Sequence, residues 1–304
     1  LDEPAYKATF DITLIANKGD TAISNSVIAS DMPGPGEGQH TIKFATTPKM
    51  STYLVAMAVG DFECVEGSAD NTPIRVCGTP DKRPLRTAAL RYATEILKFY
   101  NQYYGIPYPF GKLDILGLPD FEAGAMENTG AIFYRESLLF IDDKNSSVDS
   151  HQAVFEVLAH EMAHQWFGDA VTEREWAHLW LSEGFADYFG ALWDRQVRGD
   201  SGYRAALDTF RVRIFADSDA ERRPVIDTAQ TDYMALLNTN SYDKGAFVLS
   251  MLHHQLGDSA FFRGVRSYYL AHRHGNAVSD DLRVALEQSS GRSLTQFFDQ
   301  WLRR

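Results

Sequence analysis

Residues 153–167 read AVFEVLAHEMAHQWF, an apolar run that carries His160 and His164 four positions apart with Glu161 beside the first. On a helix, positions four apart lie one above the other on the same face, so the two imidazoles can converge on one metal ion. Glu161 emerges about 100° around the helix from His160 and can reach a water at such an ion without taking a coordination position. The run Ala153–Ala159 predicts a buried, rigid helix under the site. The five-residue pattern also arises by chance, so a further ligand is needed to support it. Glu183 supplies one. It opens a second predicted helix, Ser182–Arg195, with Ser182 as its expected N-cap, and eighteen residues separate it from His164. That is room for one helix to end, the chain to reverse and the next to begin. Asp187, one turn after Glu183, is placed as an acceptor for a ligand imidazole N–H. The intervening Trp166, Phe167, Trp176 and Trp180 predict dry surroundings. The other histidines, His40, His178, His253, His254, His272 and His274, read as packed or solvated, and His151 as the start of the metal-binding helix.

Outward from this core the chain divides by pattern. Residues 1–68 read as β: Phe10, Ile12 and Leu14 alternate with polar neighbours, Asn17–Asp20 is a turn, and Thr41–Phe44 and Tyr53–Val59 are further strands. The loop Met32–Gly38, with its prolines and glycines, is expected outside any strand. So few strands make a poor independent core, and this part reads as the C-terminal portion of a larger β domain. Residues 69–304 read as a second domain. Pro84 precedes a helical repeat from Leu85 to Tyr104, Lys112–Leu116 and Ala125–Arg135 read as strands, and from His151 the pattern is helical almost to the end. The expected helices are His151–Phe167, Ser182–Arg195, Gly202–Asp217, Lys244–Leu256, Ser259–His272, Ser279–Ser289 and Leu294–Leu302. Sheet first and helices after gives an α+β class.

Composition narrows the function. A net charge of -12 argues against a nucleic-acid partner, which wants clustered Lys and Arg. The 44% hydrophobic and 23% charged content is that of neither a disordered nor a membrane protein, and no apolar stretch is long enough to cross a bilayer. The sequence leaves the compartment open: soluble, and either cytoplasmic or periplasmic and secreted. Cys64 and Cys77 flank a turn-like stretch, Gly67–Pro73, and read either as two buried thiols or as a bridge across a hairpin.

Three motifs in order, His160-Glu-Met-Ala-His164 with Trp180-Leu-Ser-Glu183-Gly-Phe-Ala, Gly124-Ala125-Met126-Glu127-Asn128, and Tyr242-Asp243-Lys244-Gly245-Ala246, resemble the aminopeptidase N family of zinc metallopeptidases, the gluzincins of family M1. The resemblance spans essentially the whole chain. It implies a thermolysin-like catalytic domain, a mixed sheet with a mostly helical half, preceded by a partial all-β domain. It begins near the middle of the family's N-terminal β domain and ends with the catalytic domain, so a further N-terminal portion and a helical C-terminal domain are expected in the full-length protein. It implies one Zn2+ per chain on His160, His164 and Glu183, with Glu161 as general base. Glu127 is implied to bind the free ammonium of a peptide, Gly124 and Ala125 to offer backbone groups to the extended substrate, Met126 to line the first side-chain pocket, and Asn128 to complete the substrate-binding segment. Tyr242 is implied to hydrogen-bond the carbonyl oxygen as it becomes an oxyanion. The expected substrates are peptides with a free N-terminal amine. The rivals are a zinc endopeptidase or epoxide hydrolase on the same scaffold, and an inactive binding module that keeps the metal. Glu127 separates the first pair, because an endopeptidase has no use for an amine anchor. Glu161 and Tyr242 oppose the last, because neither is needed merely to hold metal.

Overall fold

The computed structural model describes residues 3–304. They form two compact units. One comprises Lys7–Gln102 and Pro107–Gln165; the other comprises Tyr103–Ile106 and Trp166–Arg304, with the N-terminal residues up to Tyr6.

The first unit begins with short strands: β1 (Lys7–Ala8), β2 (Thr13–Asn17), β3 (Thr21–Ser24), β4 (Ile28–Pro33), β5 (Gln39–Phe44), β6 (Met50–Ser51) and β7 (Met57–Gly60). They make a three-stranded sheet in the order β2-β5-β4 and two strand pairs, β1 with β6 and β3 with β7. Ile12, Ala16, Ala22, Ile42 and Phe44 form their core. Met32 and Pro33 lie inside β4, opposite Thr41 and His40, where a loop was expected. β4 is an edge strand, and a proline there costs no ladder bond on its solvent side.

A mixed sheet of five strands follows, built from β8 (Glu63–Ala69), β9 (Thr72–Gly78), β10 (Leu113–Leu118), β11 (Ala125–Met126) and β12 (Ala131–Arg135), in the order β11-β12-β10-β9-β8. The inner strands β9, β10 and β12 are parallel and the two edges antiparallel. Strands buried on both faces read as continuous apolar runs, and Ile74, Val76, Leu113, Ile115, Leu116 and Ile132 are all fully buried. Parallel neighbours need a long crossover, and α1 (Arg86–Tyr104) lies in the β9–β10 connection. Ala125–Arg135, expected as one strand, is a hairpin instead, with β11 folded antiparallel onto β12. Gly130 permits the reversal. Its φ is +67°, and a Cβ there would meet the Asn25 carbonyl oxygen at 2.6 Å. Cys64 stands directly opposite Cys77 across β8 and β9, and the two are bonded. Beneath the hairpin, Lys112 Nζ donates to the Ser24 and Gly130 carbonyls (2.6 and 2.7 Å) and to Asp114 (2.8 Å), which also takes a two-pronged bond from Arg75. Burial alone would raise the Asp114 carboxyl, but Lys112 and Arg75 hold it below the usual range. The unit ends in α2 (Val148–His164).

In the second unit, β13 (Val171–Glu173) pairs in parallel with β14 (Gly275–Ala277). Helices α3 (Glu183–Ala216), α4 (Gly245–Leu256), α5 (Asp258–His272), α6 (Ser279–Ser290) and α7 (Thr295–Leu302) make the rest. Gly199 breaks the helical path of α3 with φ +70° and ψ -164°, so two helical pieces flank it as the sequence predicts. The core is aromatic. Phe167 stacks on Phe185 at 4.6 Å, and Tyr104 meets Trp166 and Phe189 edge-on. The α+β expectation holds. Among the described residues no helix is long and apolar enough to cross a membrane.

Candidate active site

Helix α2 starts at Ser147, whose hydroxyl accepts from the Ser150 N–H at 3.1 Å, and runs to His164. His151 lies inside it, bonded to the Tyr92 hydroxyl at 2.9 Å. The helical period brings His160 and His164 together as predicted, with their Nε2 atoms 2.9 Å apart. Two ring nitrogens aimed at one point are the donor set a soft-to-borderline cation such as zinc takes. Glu161, on the same helix, is only 7% exposed, and Glu127 only 8%. One ligand atom each from Glu127, Glu161 and His164 lies within 4.8 Å of the others. Two carboxylates held this close in a dry setting cannot both stay charged without a cation or a shared proton between them.

The segment carrying Glu127 is fixed from several sides. β11 sets Ala125 and Met126 opposite Tyr134 and Phe133, and the Arg135 N–H donates to the Gly124 carbonyl at 2.9 Å. Gly124, Ala125 and Met126 are half-buried, while Asn128 is buried. The Asn128 carbonyl accepts from Ala131 N–H at 2.9 Å, and that of Thr129 from the Asn25 amide at 2.9 Å. Asp120 and Glu122, upstream, are exposed on their loop and read as solvated carboxylates.

Two residues were not singled out by sequence reasoning. Gln165 follows His164 and is fully buried. Its side chain donates to the Glu127 carbonyl (2.7 Å) and accepts from Gly130 N–H (2.9 Å) and the Tyr108 hydroxyl (2.9 Å). A polar amide between His164 and the apolar Trp166-Phe167 was the available signal. Tyr134 is fully buried, its hydroxyl without a hydrogen-bond partner among the described residues. Burial first, and then the charge of Glu161, push its phenol well above the ordinary range.

In the second unit, Glu183 is the first residue of α3 and is buried. Ser182 precedes it but makes no capping side-chain bond, because its backbone is already in the helical region (φ -94°, ψ -68°). Tyr242, half-buried, lies in a π-helical turn, Asn240–Lys244, leading into α4. The Lys244 N–H reaches back five residues to the Thr239 carbonyl at 2.9 Å. Such wide turns concentrate at functional positions. Burial first, and then the Asp187 charge, raise the Asp243 carboxyl to about 6, against the pull of Arg213. Unfolded, Asp243 loses its proton near 3.8; folded, it keeps it to about 6. The folded form therefore loses stability as pH rises across that window. Asp243→Asn is expected to remove this term, so that urea unfolding at pH 4 and pH 7 shows a smaller drop in the variant than in the parent. Of the remaining histidines, His178 bonds Ser279 at 2.8 Å and His253 bridges Tyr188 and Asp258, as structural roles require.

Residues 88–301 match the model of the peptidase family M1 domain, and residues 1–54 that of the peptidase M1 N-terminal domain. The chain belongs to peptidase family M1. M1 members are metallopeptidases, in keeping with the imidazole pair on α2. The chain is 37% identical to Aminopeptidase 2 of Candida albicans over 99% of its length and 33% of that protein's. It is 38% identical to Aminopeptidase M1-B of Oryza sativa subsp. japonica (100% and 35%), and 36% identical to the alanine/arginine aminopeptidase of Saccharomyces cerevisiae (100% and 36%). It thus spans about a third of the length of these M1 relatives.

Proposed function

We propose that this chain is the catalytic part of a zinc aminopeptidase that removes single residues from the free amino end of peptides. His160, His164 and Glu183, a His2Glu donor set, would hold one zinc ion. Asp187 accepts from a ligand imidazole N–H and fixes its orientation. When bound, zinc supplies Lewis-acid polarisation of the scissile carbonyl and of the attacking water. Glu161 takes the proton of that water and delivers it to the leaving nitrogen. The Tyr242 hydroxyl donates to the carbonyl oxygen as negative charge develops there. One such donor is worth about 3 kcal/mol, roughly a hundredfold in rate. Glu127 pairs with the substrate ammonium. Gly124 and Ala125 pair with the substrate backbone at the exposed edge of β11, Met126 lines the first side-chain pocket, and Asn128 completes that segment.

The observation that carries this reading is the buried Glu127 carboxylate beside Glu161 and His164. An internal peptide segment brings no charge to satisfy it, whereas a chain end does. The reading is supported by the aminopeptidase names of the relatives and by the motif order. The Cys64–Cys77 bond favours an oxidising compartment. The test is a panel of aminoacyl anilides, free and N-acetylated, assayed on the whole protein. Turnover of the free amines alone is expected. Equal rates on both forms would overturn the exopeptidase reading.

A further inference from the structure

We propose that Gln165 is a positioning residue that sets the distance between the metal-binding helix and the amine anchor, and so helps determine that the enzyme cleaves one residue from the end. The inference rests on the aminopeptidase reading and adds a residue to it. In any α-amino acid the amine nitrogen and the carbonyl carbon are about 2.5 Å apart, because two bonds and one angle separate them. An enzyme that holds the amine at one point and the scissile carbonyl at another must therefore fix the spacing of those points to about 0.5 Å. A misplacement of about 1 Å costs about a hundredfold in rate.

Gln165 is built to do this. It follows His164 directly, so its backbone moves with a metal-binding imidazole. Its side-chain NH2 donates to the carbonyl of Glu127, the anchor residue itself, at 2.7 Å. Its oxygen accepts from Gly130 N–H at 2.9 Å, at the other end of the same turn. The orientation of the amide is forced, since a backbone N–H only donates and a backbone carbonyl only accepts. The Tyr108 hydroxyl, at 2.9 Å, braces the same oxygen. The turn it grips is otherwise held by Asn25 and Lys112, which come from other parts of the fold. Gln165 is thus a one-residue link between His164 and Glu127. It touches no reacting atom and acts through Glu127.

The test uses Gln165→Glu in the whole protein. Assayed at a pH high enough to ionise the new carboxyl, the variant keeps the acceptor for Gly130 and Tyr108 but loses the donor to Glu127 and sets an oxygen against its carbonyl. Four quantities are read: bound zinc, KM and kcat on a free aminoacyl anilide, and the affinity of an amino alcohol, which carries the ammonium but no scissile bond. We expect zinc to stay stoichiometric, amino-alcohol affinity to fall about tenfold, and KM to rise by a similar factor, with a smaller change in kcat. Tyr108→Phe, a milder change to the same amide, is expected to move amino-alcohol affinity in the same direction by about two- to threefold, and decides the matter if Gln165→Glu does not fold. A merely structural role would lower zinc content and kcat together and leave amino-alcohol affinity per zinc unchanged, and that result overturns the inference. The outcomes are separable from those of the parent reading. If wild type cleaves N-acetylated substrates equally well, the aminopeptidase reading fails. If wild type discriminates and the variants bind the amino alcohol as tightly, only the role of Gln165 fails.

Discussion

Glu161→Gln is expected to cut kcat by between about a hundredfold and ten-thousandfold while bound zinc stays stoichiometric. The amide has nearly the shape of the carboxylate but no basic oxygen, so it cannot accept the proton of an attacking water. The side chain is 7% exposed, which leaves little room for a solvent buffer to substitute. Its neighbours on α2, His160 and His164, face each other through Nε2, and the proposed ligand set does not include it. Assay of kcat on a free aminoacyl anilide, with elemental analysis of the same sample, separates the two roles. A variant that keeps more than about a tenth of wild-type kcat would mean that another group is the base. One that loses its zinc would mean that Glu161 is a ligand.

The second large effect is expected from a residue with no functional group. Gly184 follows Glu183, and Gly245 follows the turn that carries Tyr242. A Cβ on Gly184 would sit 2.8 Å from the Gly245 carbonyl carbon and 2.9 Å from its Cα. Those are backbone atoms and cannot rotate aside. α3 and the start of α4 touch backbone to backbone, and this contact sets how far Glu183 stands from Tyr242. Gly184→Ala is expected to cost about 1–3 kcal/mol of stability through overpacking and about a hundredfold in kcat/KM through displacement of the two side chains. Gly190→Ala is the control. It lies six residues along the same helix, with nothing within 4 Å of its added Cβ. It is expected to keep activity and gain about 0.5–1 kcal/mol. Thermal unfolding and steady-state kinetics on both check the pair, and equal behaviour would contradict the packing argument.

The parts of this site legible in the sequence were those fixed by helical period. The spacing of His160 and His164 dictates one face, and their nitrogens do meet at 2.9 Å. The break near Gly199 was readable from the gap between two helical patterns. What stayed hidden depended on partners far along the chain or on rare backbone states. The Ala125–Arg135 hairpin turns on a positive φ at Gly130. The Cys64–Cys77 bond needs the register of β8 on β9, which a one-residue slip would destroy. The π-helical turn around Tyr242 has no periodic signal, because the five-residue bonds, from Lys244 to Thr239 and from Gly245 to Asn240, last a single turn. The role of Gln165 depends on partners 35, 38 and 57 residues away in sequence. Met32 and Pro33 entered a strand only because β4 has a free edge.

The most direct measurement is an anomalous diffraction map at the zinc edge, from crystals of the protein grown with one equivalent of zinc. The account predicts a single peak bonded to His160 Nε2, His164 Nε2 and a Glu183 carboxylate oxygen, with Glu127 and Glu161 uncoordinated. A peak held instead by Glu127, Glu161 and His164, or none on α2 at all, would contradict it.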